Sequence, residues 1–323
     1  METWDVVVVG SGVCGLTISH ALREHGQSVL LLDKGSRPGG RVASRPLGGM
    51  LLNVSVANVL ADDDEVIAEI TRRTGAIFPP ATAESGGGPV AGSALREWNF
   101  VQPAGDIAAL WALGAVIQRT FVTHIDVQAN GLLHVVPHGT GDPIAAEQVV
   151  LTAPLPQSSE ILRLSGFDVT ASLAGVTYER RDVLLCVVVG PEEDEHFLDE
   201  STVIDLIRLR HRDDTGLIWL ELFANSQWSA INASVDANFA QALLLHELCR
   251  LYPGARVMNS ELKRWRYSNA RSTVPNSTFD AHQGAPGIFV AGDGFGPVLE
   301  DQPTGIMRAV RSGLDVAAAL ARA

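Results

Sequence analysis

The sequence predicts an α/β fold, with a largely parallel sheet assembled from both ends of the chain and a smaller α+β domain, built on a mixed β-sheet, inserted between them. Three observations carry that prediction. The chain opens with an apolar run, Val6-Val7-Val8-Val9, that enters Gly10-Ser11-Gly12-Val13-Cys14-Gly15 and then a helical stretch. It closes with a second apolar run, Gly287-Ile288-Phe289-Val290-Ala291, that ends in Gly292-Asp293 and precedes a last helix. Between them lies a β-rich block whose turns carry hairpin signals. A length of 323 residues suggests about two domains.

The opening unit is a strand, a glycine-rich turn, a helix ending at Gly26 and a second strand, Val29 to Leu32, closed by Asp33. This is the βαβ arrangement that binds dinucleotides, and each glycine has a physical role in it. Gly10 permits the tight turn, Gly12 lets the backbone approach a pyrophosphate, and Gly15 lets helix and strand pack closely. The helix N-terminus offers unpaired N–H groups and a positive dipole end to phosphate. Asp33 can accept hydrogen bonds from ribose hydroxyls, the other reading being a strand-end carboxylate that bonds a turn. Gly39-Gly40-Arg41 follows, then a helix near Asp62 to Thr74. Residues 79–92, with Pro79-Pro80 and Gly86-Gly87-Gly88, read as a connector or as a lid over a site.

Ala115 to Leu151 reads as an antiparallel unit. Phe121 to Ala129 turns at Asn130-Gly131 into Leu132 to Pro137, and Gly139 to Asp142 turns again into Gln148 to Leu151. Strands follow at Val183 to Val189, Thr202 to Leu209 and Gly216 to Ala224, then an amphipathic helix from Val235 to Leu251. The returning strand places Gly292-Asp293 at its carboxyl end, where α/β sheets bind their ligands. A helix starting at Gly305-Ile306 aims its first amides at the same region.

Composition narrows the function. With 24 Lys and Arg against 37 Asp and Glu, the net charge of −13 argues against binding nucleic acid or an anionic membrane. No run approaches the roughly 18 apolar residues of a membrane span, and the acidic N-terminus does not resemble a signal peptide. Cys14, Cys186 and Cys249 have no paired or CxxC spacing, which suits a reduced, cytoplasmic protein. Cys14 reads as a thiol activated at a helix N-terminus or as a small spacer. The 9 histidines form no metal pattern, so no metal is expected. A second dinucleotide motif and a redox Cys pair are absent, which disfavours disulfide reductases.

Taken together, these stretches resemble FAD-dependent oxidoreductases of the flavin amine oxidase superfamily, and within it the renalase-like branch. Gly10 to Gly15 with Asp33, the Gly39-Gly40-Arg41 stretch and the final Gly292-Asp293 carry the superfamily likeness. Ala153-Pro154-Leu155-Pro156-Gln157 and Arg264-Trp265-Arg266-Tyr267 carry the renalase likeness. The resemblance implies a Rossmann-type, glutathione-reductase-like FAD-binding domain formed by residues 1–76, 101–157 and 262–323, with a substrate domain from 77–100 and 158–261. It implies noncovalent FAD held by Gly10, Gly12, Gly15, Asp33, Lys34, Gly40, Arg41, Val122, Gly292, Asp293, Gly305 and Ile306. Trp265, Tyr267 and Asn53 become pocket candidates, with no catalytic acid or base identified.

One stretch departs from the family. Where a pattern Asp-x-Gly-Ala-Gln-aromatic is expected beside the flavin, this chain has Leu52-Asn53-Val54-Ser55-Val56-Ala57-Asn58. The expected activity is hydride transfer from a small cyclic amine or dihydronicotinamide to flavin N5, with dioxygen reduced to hydrogen peroxide. The rivals are an amine oxidase or desaturase tailoring a small natural product, a flavin isomerase without net redox change, and a flavin-binding protein without turnover. Without the resemblance, Trp265 reads as core, and Arg264 and Arg266 as surface ion pairs or a substrate phosphate site.

Overall fold

The computed structural model describes residues 2–55, 58–61, 64–75, 96–99, 102–169, 171–190, 203–275, 279–280, 287–296 and 305–322. Five parallel strands form the centre of its larger sheet, in the order Ile288–Val290, Ile144–Leu151, Thr3–Val9, Val29–Asp33 and Val116–Arg119. Both faces are covered, which explains the unbroken apolar runs. Val6 and Val8 pack with the helices Val13–Glu24, Ala104–Trp111 and Ile306–Leu320. Val7 and Val9 face the opposite way, toward an antiparallel meander and the helix Leu155–Leu164.

The expected antiparallel unit over 115–151 needs correcting at both ends. Val116–Arg119 joins the parallel sheet beside Val29–Asp33, and Ile144–Leu151 runs parallel to the opening strand. Only Val122–Val127, Leu133–Pro137 and the first half of Ile144–Leu151 pair as a meander, turned at Asn130-Gly131. Strand direction is a tertiary choice here: Ile144–Leu151 pairs in parallel with the opening strand along one edge, and along the other it pairs antiparallel in its first half and parallel with Ile288–Val290 in its second.

A second sheet contains Ile204–Arg212, Leu217–Ala224, Arg181–Val189 and Arg256–Trp265 in that spatial order. All its pairings among the described residues are antiparallel, so the mixed sheet is the larger one and not this one. Along Arg181–Val189 the side chains alternate. Leu184, Cys186 and Val188 meet Leu244 and Leu248 of the helix Ala237–Leu251. Val183, Leu185 and Val187 meet Leu47 and Leu52 of a hairpin, Ser44–Leu47 with Met50–Asn53. The expected domain limits at 157 and 262 fall inside the helix Leu155–Leu164 and the strand Arg256–Trp265. The expected helix at 62–74 begins at Asp64, and the 79–92 segment lies outside the described residues.

Candidate functional site

A cleft of about 1500 Å³ runs from the carboxyl ends of the parallel strands onto one face of the second sheet. Pockets for a single small ligand typically hold about 300–1,000 Å³, so there is room for a dinucleotide and a substrate together. Gly10, Gly12, Asp33, Lys34, Gly40, Arg41, Val122, Gly292, Asp293, Gly305 and Ile306 line it, as do Trp265 and Tyr267. Gly15 and Asn53 do not.

The glycines of the first turn divide into two kinds. Gly10 has φ +118, and a Cβ there would lie 2.6 Å from Thr152 Oγ1. A Cβ on Gly15 would lie 2.0 Å from the Gly10 carbonyl oxygen. The chain's own packing demands both. Gly12 is different: its backbone is extended, with φ −70 and ψ 177, and its Cβ would meet no protein atom within 4 Å. It caps the helix Val13–Glu24 without a side-chain bond, and no acidic residue occupies the first turn. The unpaired amides and positive helix end therefore face open cleft, which is the chemistry a phosphate requires.

Asp33 does brace the turn, as the second reading of it proposed. Its Oδ2 accepts from Ser11 N at 2.7 Å and Ser11 Oγ at 2.8 Å, and Oδ1 accepts from Gly35 N at 2.7 Å. A carboxylate has about four acceptor positions, so these three bonds leave capacity for one more at a residue that lines the cleft. Cys14 is buried, and burial followed by the nearby Asp293 pushes its thiol far above the ordinary range. This is a spacer and not an activated thiol.

Asp293 organises the middle of the cleft. It is buried, and Arg41 grips it with both guanidinium arms, Nη1 to Oδ2 at 2.8 Å and Nη2 to Oδ1 at 2.7 Å. The same Nη1 donates to the Ser268 carbonyl at 2.8 Å. Tyr178, which the sequence reading missed, donates to Asp293 Oδ1 at 3.3 Å. Burial first, and the Asp293 charge second, raise the Tyr178 phenol well beyond its usual value, so it stays protonated as a donor. A Cβ on Gly305 would lie 2.7 Å from Asp293 Cβ, so the last helix can start against this carboxylate only with glycine there. Arg308 of that helix donates Nε to the Asp293 carbonyl at 2.9 Å.

Beyond this pair the walls become aromatic. Tyr267 meets Tyr178 edge-on at 5.6 Å, and Arg266 lies over the Tyr267 ring at 5.2 Å. Trp265 donates its indole N–H to the Val54 carbonyl. Lys263 places its ammonium 4.3 Å from the Trp265 ring centroid. The basic run therefore splits by strand alternation, with Lys263 and Trp265 on the cleft face. Arg264 points away and bonds Asp182 at 3.1 Å and the Val235 carbonyl at 2.7 Å, an internal ion pair.

Asn53 requires correction. It is buried behind the wall, where Oδ1 accepts from Ser44 Oγ and Ala104 N, both at 2.8 Å. It thus ties the hairpin to the start of the helix Ala104–Trp111. Among its described residues the departing segment touches the cleft through Val54 and Ser55 instead, and its contribution is the carbonyl that fixes Trp265.

The NAD(P)-binding Rossmann-like domain family matches residues 8–74, the stretch that carries the glycine turn and Arg41. In solved structures the likeness extends over the whole chain. Putrescine oxidase, in its wild-type form bound to putrescine, aligns over 100% of both chains with a TM-score of 0.68 and 14% identity. Cyclohexylamine oxidase from Brevibacterium oxydans aligns over 99% of both chains with a TM-score of 0.69 and 12% identity. This is the Rossmann-like nucleotide-binding fold of the amine oxidase structures. At such identities the likeness is one of fold. UDP-galactopyranose mutase from Mycoplasma pneumoniae is 49% identical over 37 residues, which span 12% of this chain and 9% of that protein. No helix among the described residues is long and apolar enough to cross a membrane, and no group of three or more metal-ligating side chains occurs among them.

Proposed function

We propose that the protein is an FAD-dependent oxidoreductase that removes a hydride equivalent from a small substrate held beside Trp265 and Tyr267. The continuity of the cleft carries this reading: the phosphate cradle at Gly12 leads past the Arg41–Asp293 pair directly into the aromatic compartment. Gly10, Gly12 and Gly40 would cradle the pyrophosphate, with Gly15 behind them allowing the helix its approach. Asp33, Lys34 and Val122 would border the adenosine end. Gly292, Asp293 and Arg41 would hold the ribityl and phosphate region, and the amides at Gly305 and Ile306 the flavin ring. No cysteine lines the aromatic end, which suits noncovalent attachment.

FAD, when bound, would supply the two-electron acceptor. The chain supplies position and environment. Trp265, locked by the Val54 carbonyl, gives a fixed face for a planar substrate, and Arg41 and Tyr178 keep the buried Asp293 carboxylate paired. In this reading the electrons pass on to dioxygen, which takes two protons and becomes hydrogen peroxide. The renalase-like form of the proposal, with a dihydronicotinamide-type or cyclic amine substrate, rests on the Ala-Pro-x-Pro-Gln and Arg-Trp-Arg-Tyr stretches.

Anaerobic titration of the purified, flavin-loaded protein is the test. Partly isomerised NADH and NADPH, then small cyclic amines, serve as donors while flavin absorbance is followed. Bleaching by minor dihydronicotinamide isomers, with peroxide formed on admitting air, is the expected result. Protein that purifies without flavin and takes up none would overturn the cofactor reading. A bound flavin that no donor bleaches would overturn the oxidase reading.

A further inference from the structure

The face that the second sheet turns to the cleft is cationic. Register places Leu206, Phe223, Val183 and Lys263 in one cross-strand row, with Arg181 beside Trp265 in the next and Arg208 beside Glu221 on the other side. Leu206, Phe223 and Val183 make an apolar floor. Arg181, Arg208 and Lys263 stand around it, and Arg45 reaches the same space from the hairpin. The whole chain is acidic by 13 charges, so this local excess runs against the composition.

The carboxylates near these groups serve the arginines and leave the lysine. Arg181 pairs with Asp205 at 3.0 Å and with Glu179 at 3.7 Å. Arg208 and Arg210 share the buried Glu221, at 3.6 and 3.3 Å. Glu261 lies 3.9 Å from Arg45. Among the described residues Lys263 has an aromatic face and no ion pair. Burial, and then Arg45, pull its ammonium below the ordinary lysine range, while Glu261 opposes them. A half-buried cation in that setting is short of a counter-charge, and an apolar floor beside it suits the body of a ligand that carries one.

We propose that the substrate of this site carries an oxyanion, a carboxylate or a phosphate ester, that pairs with Lys263 while its apolar or planar body rests on Val183, Phe223 and Trp265. The inference rests on the reading of the cleft as a flavin site with an adjoining substrate compartment, and it narrows the substrate class. A simple amine, cationic at neutral pH, would meet the Lys263 ammonium as a like charge, with the neighbouring carboxylates already committed to arginines. A dihydronicotinamide that bears a phosphate would not.

The test uses the flavin-loaded protein, so that the phosphate cradle is filled, and three probes with one aromatic body: phenylacetate, phenyl phosphate and phenethylamine. Binding is measured by calorimetry and by the flavin difference spectrum. Both anions are expected to bind more tightly than the amine, with affinity falling as salt rises. Lys263→Met should weaken the anions by roughly tenfold or more, and Lys263→Arg should restore most of the loss. The tighter of the two anions identifies the head group. Amine binding equal to or tighter than both anions overturns the proposal, as does anion affinity that Lys263→Met leaves unchanged. Flavin content, read beforehand, keeps the two readings apart. A preparation without flavin counts against the cofactor, and calorimetry of phenylacetate on it, parent against Lys263→Met, still decides the anion site.

Discussion

At the end of the cleft proposed for the nucleotide the groups offered to a ligand come chiefly from the main chain, whereas the end proposed for the substrate offers side chains. The first end is a turn and a helix start within six residues, Gly10 to Gly15, where the absence of side chains brings backbone amides close. The second end is assembled from Arg181, Phe223, Lys263 and Trp265, on three strands whose register brings them together. Backbone recognition is generic, since any dinucleotide presents a pyrophosphate. Side-chain recognition distinguishes one substrate from another, and it can change without disturbing the fold. The two ends meet at Asp293, whose charge is matched by Arg41 from the first and whose neighbours Tyr178 and Tyr267 begin the second.

Four substitutions break or sharpen that comparison. Arg41→Ala should have the largest effect on stability, because it leaves the buried Asp293 carboxylate unpaired at the junction. A loss of about 3–5 kcal/mol is expected, and chemical denaturation would measure it. If Arg41→Ala unfolds no earlier than the parent, the pair does not hold the two ends together.

Gly15→Ala tests the backbone end next. Alanine normally gains up to about 1 kcal/mol over glycine inside a helix. Here its methyl would sit 2.0 Å from the Gly10 carbonyl oxygen, a backbone atom with little freedom. Overpacking at about 1–3 kcal/mol should win, so the variant should be less stable and hold flavin poorly.

Gly12→Ala separates ligand from packing. With no protein atom within 4 Å of the new methyl, the flavin-free protein should lose no more than about 1 kcal/mol, the cost of replacing a glycine cap by alanine. Flavin affinity should fall, because the methyl occupies the approach to the cradle. A Gly12→Ala protein that retains full flavin affinity would show that no phosphate comes close there.

The smallest effect belongs to a network outside both ends, and it checks that the others are local. Glu24 accepts from Arg73 and Arg72, which hold its carboxyl down to about 2 with burial opposing them. A depressed carboxylate contributes stability above its unfolded value of 4.5 and loses it as pH falls through about 2. Glu24 is half exposed, so Glu24→Gln should cost less than about 1 kcal/mol. That difference should be constant from neutral pH to about 5 and shrink with further acidification, while flavin binding stays unchanged.

Most of the nucleotide end was legible in the sequence. The glycine spacing, Asp33, Arg41 and the Gly292-Asp293 pair all lie where the cleft runs, because each depends on contacts within one turn or at one strand end. Asn53 was misassigned since nothing in a sequence distinguishes a residue lining a pocket from one bonded just behind its wall. Tyr178 carried no signal, as its partner Asp293 is 115 positions away. Lys263 did carry one: the alternation that sets Trp265 and Tyr267 on one face sets Lys263 there too.

The sequence alone determined the βαβ opening, the return of the chain to the same sheet, and the glycine turn at the head of the first helix, because these follow from local sterics and strand period. Only the tertiary structure decided that Ile144–Leu151 runs parallel to the opening strand, that Arg41 is committed to Asp293, and that Arg181, Arg208 and Lys263 gather on one wall of the cleft. Each of those depends on which distant residues share a strand register or a buried charge, and register is set by burying both faces of a sheet at once.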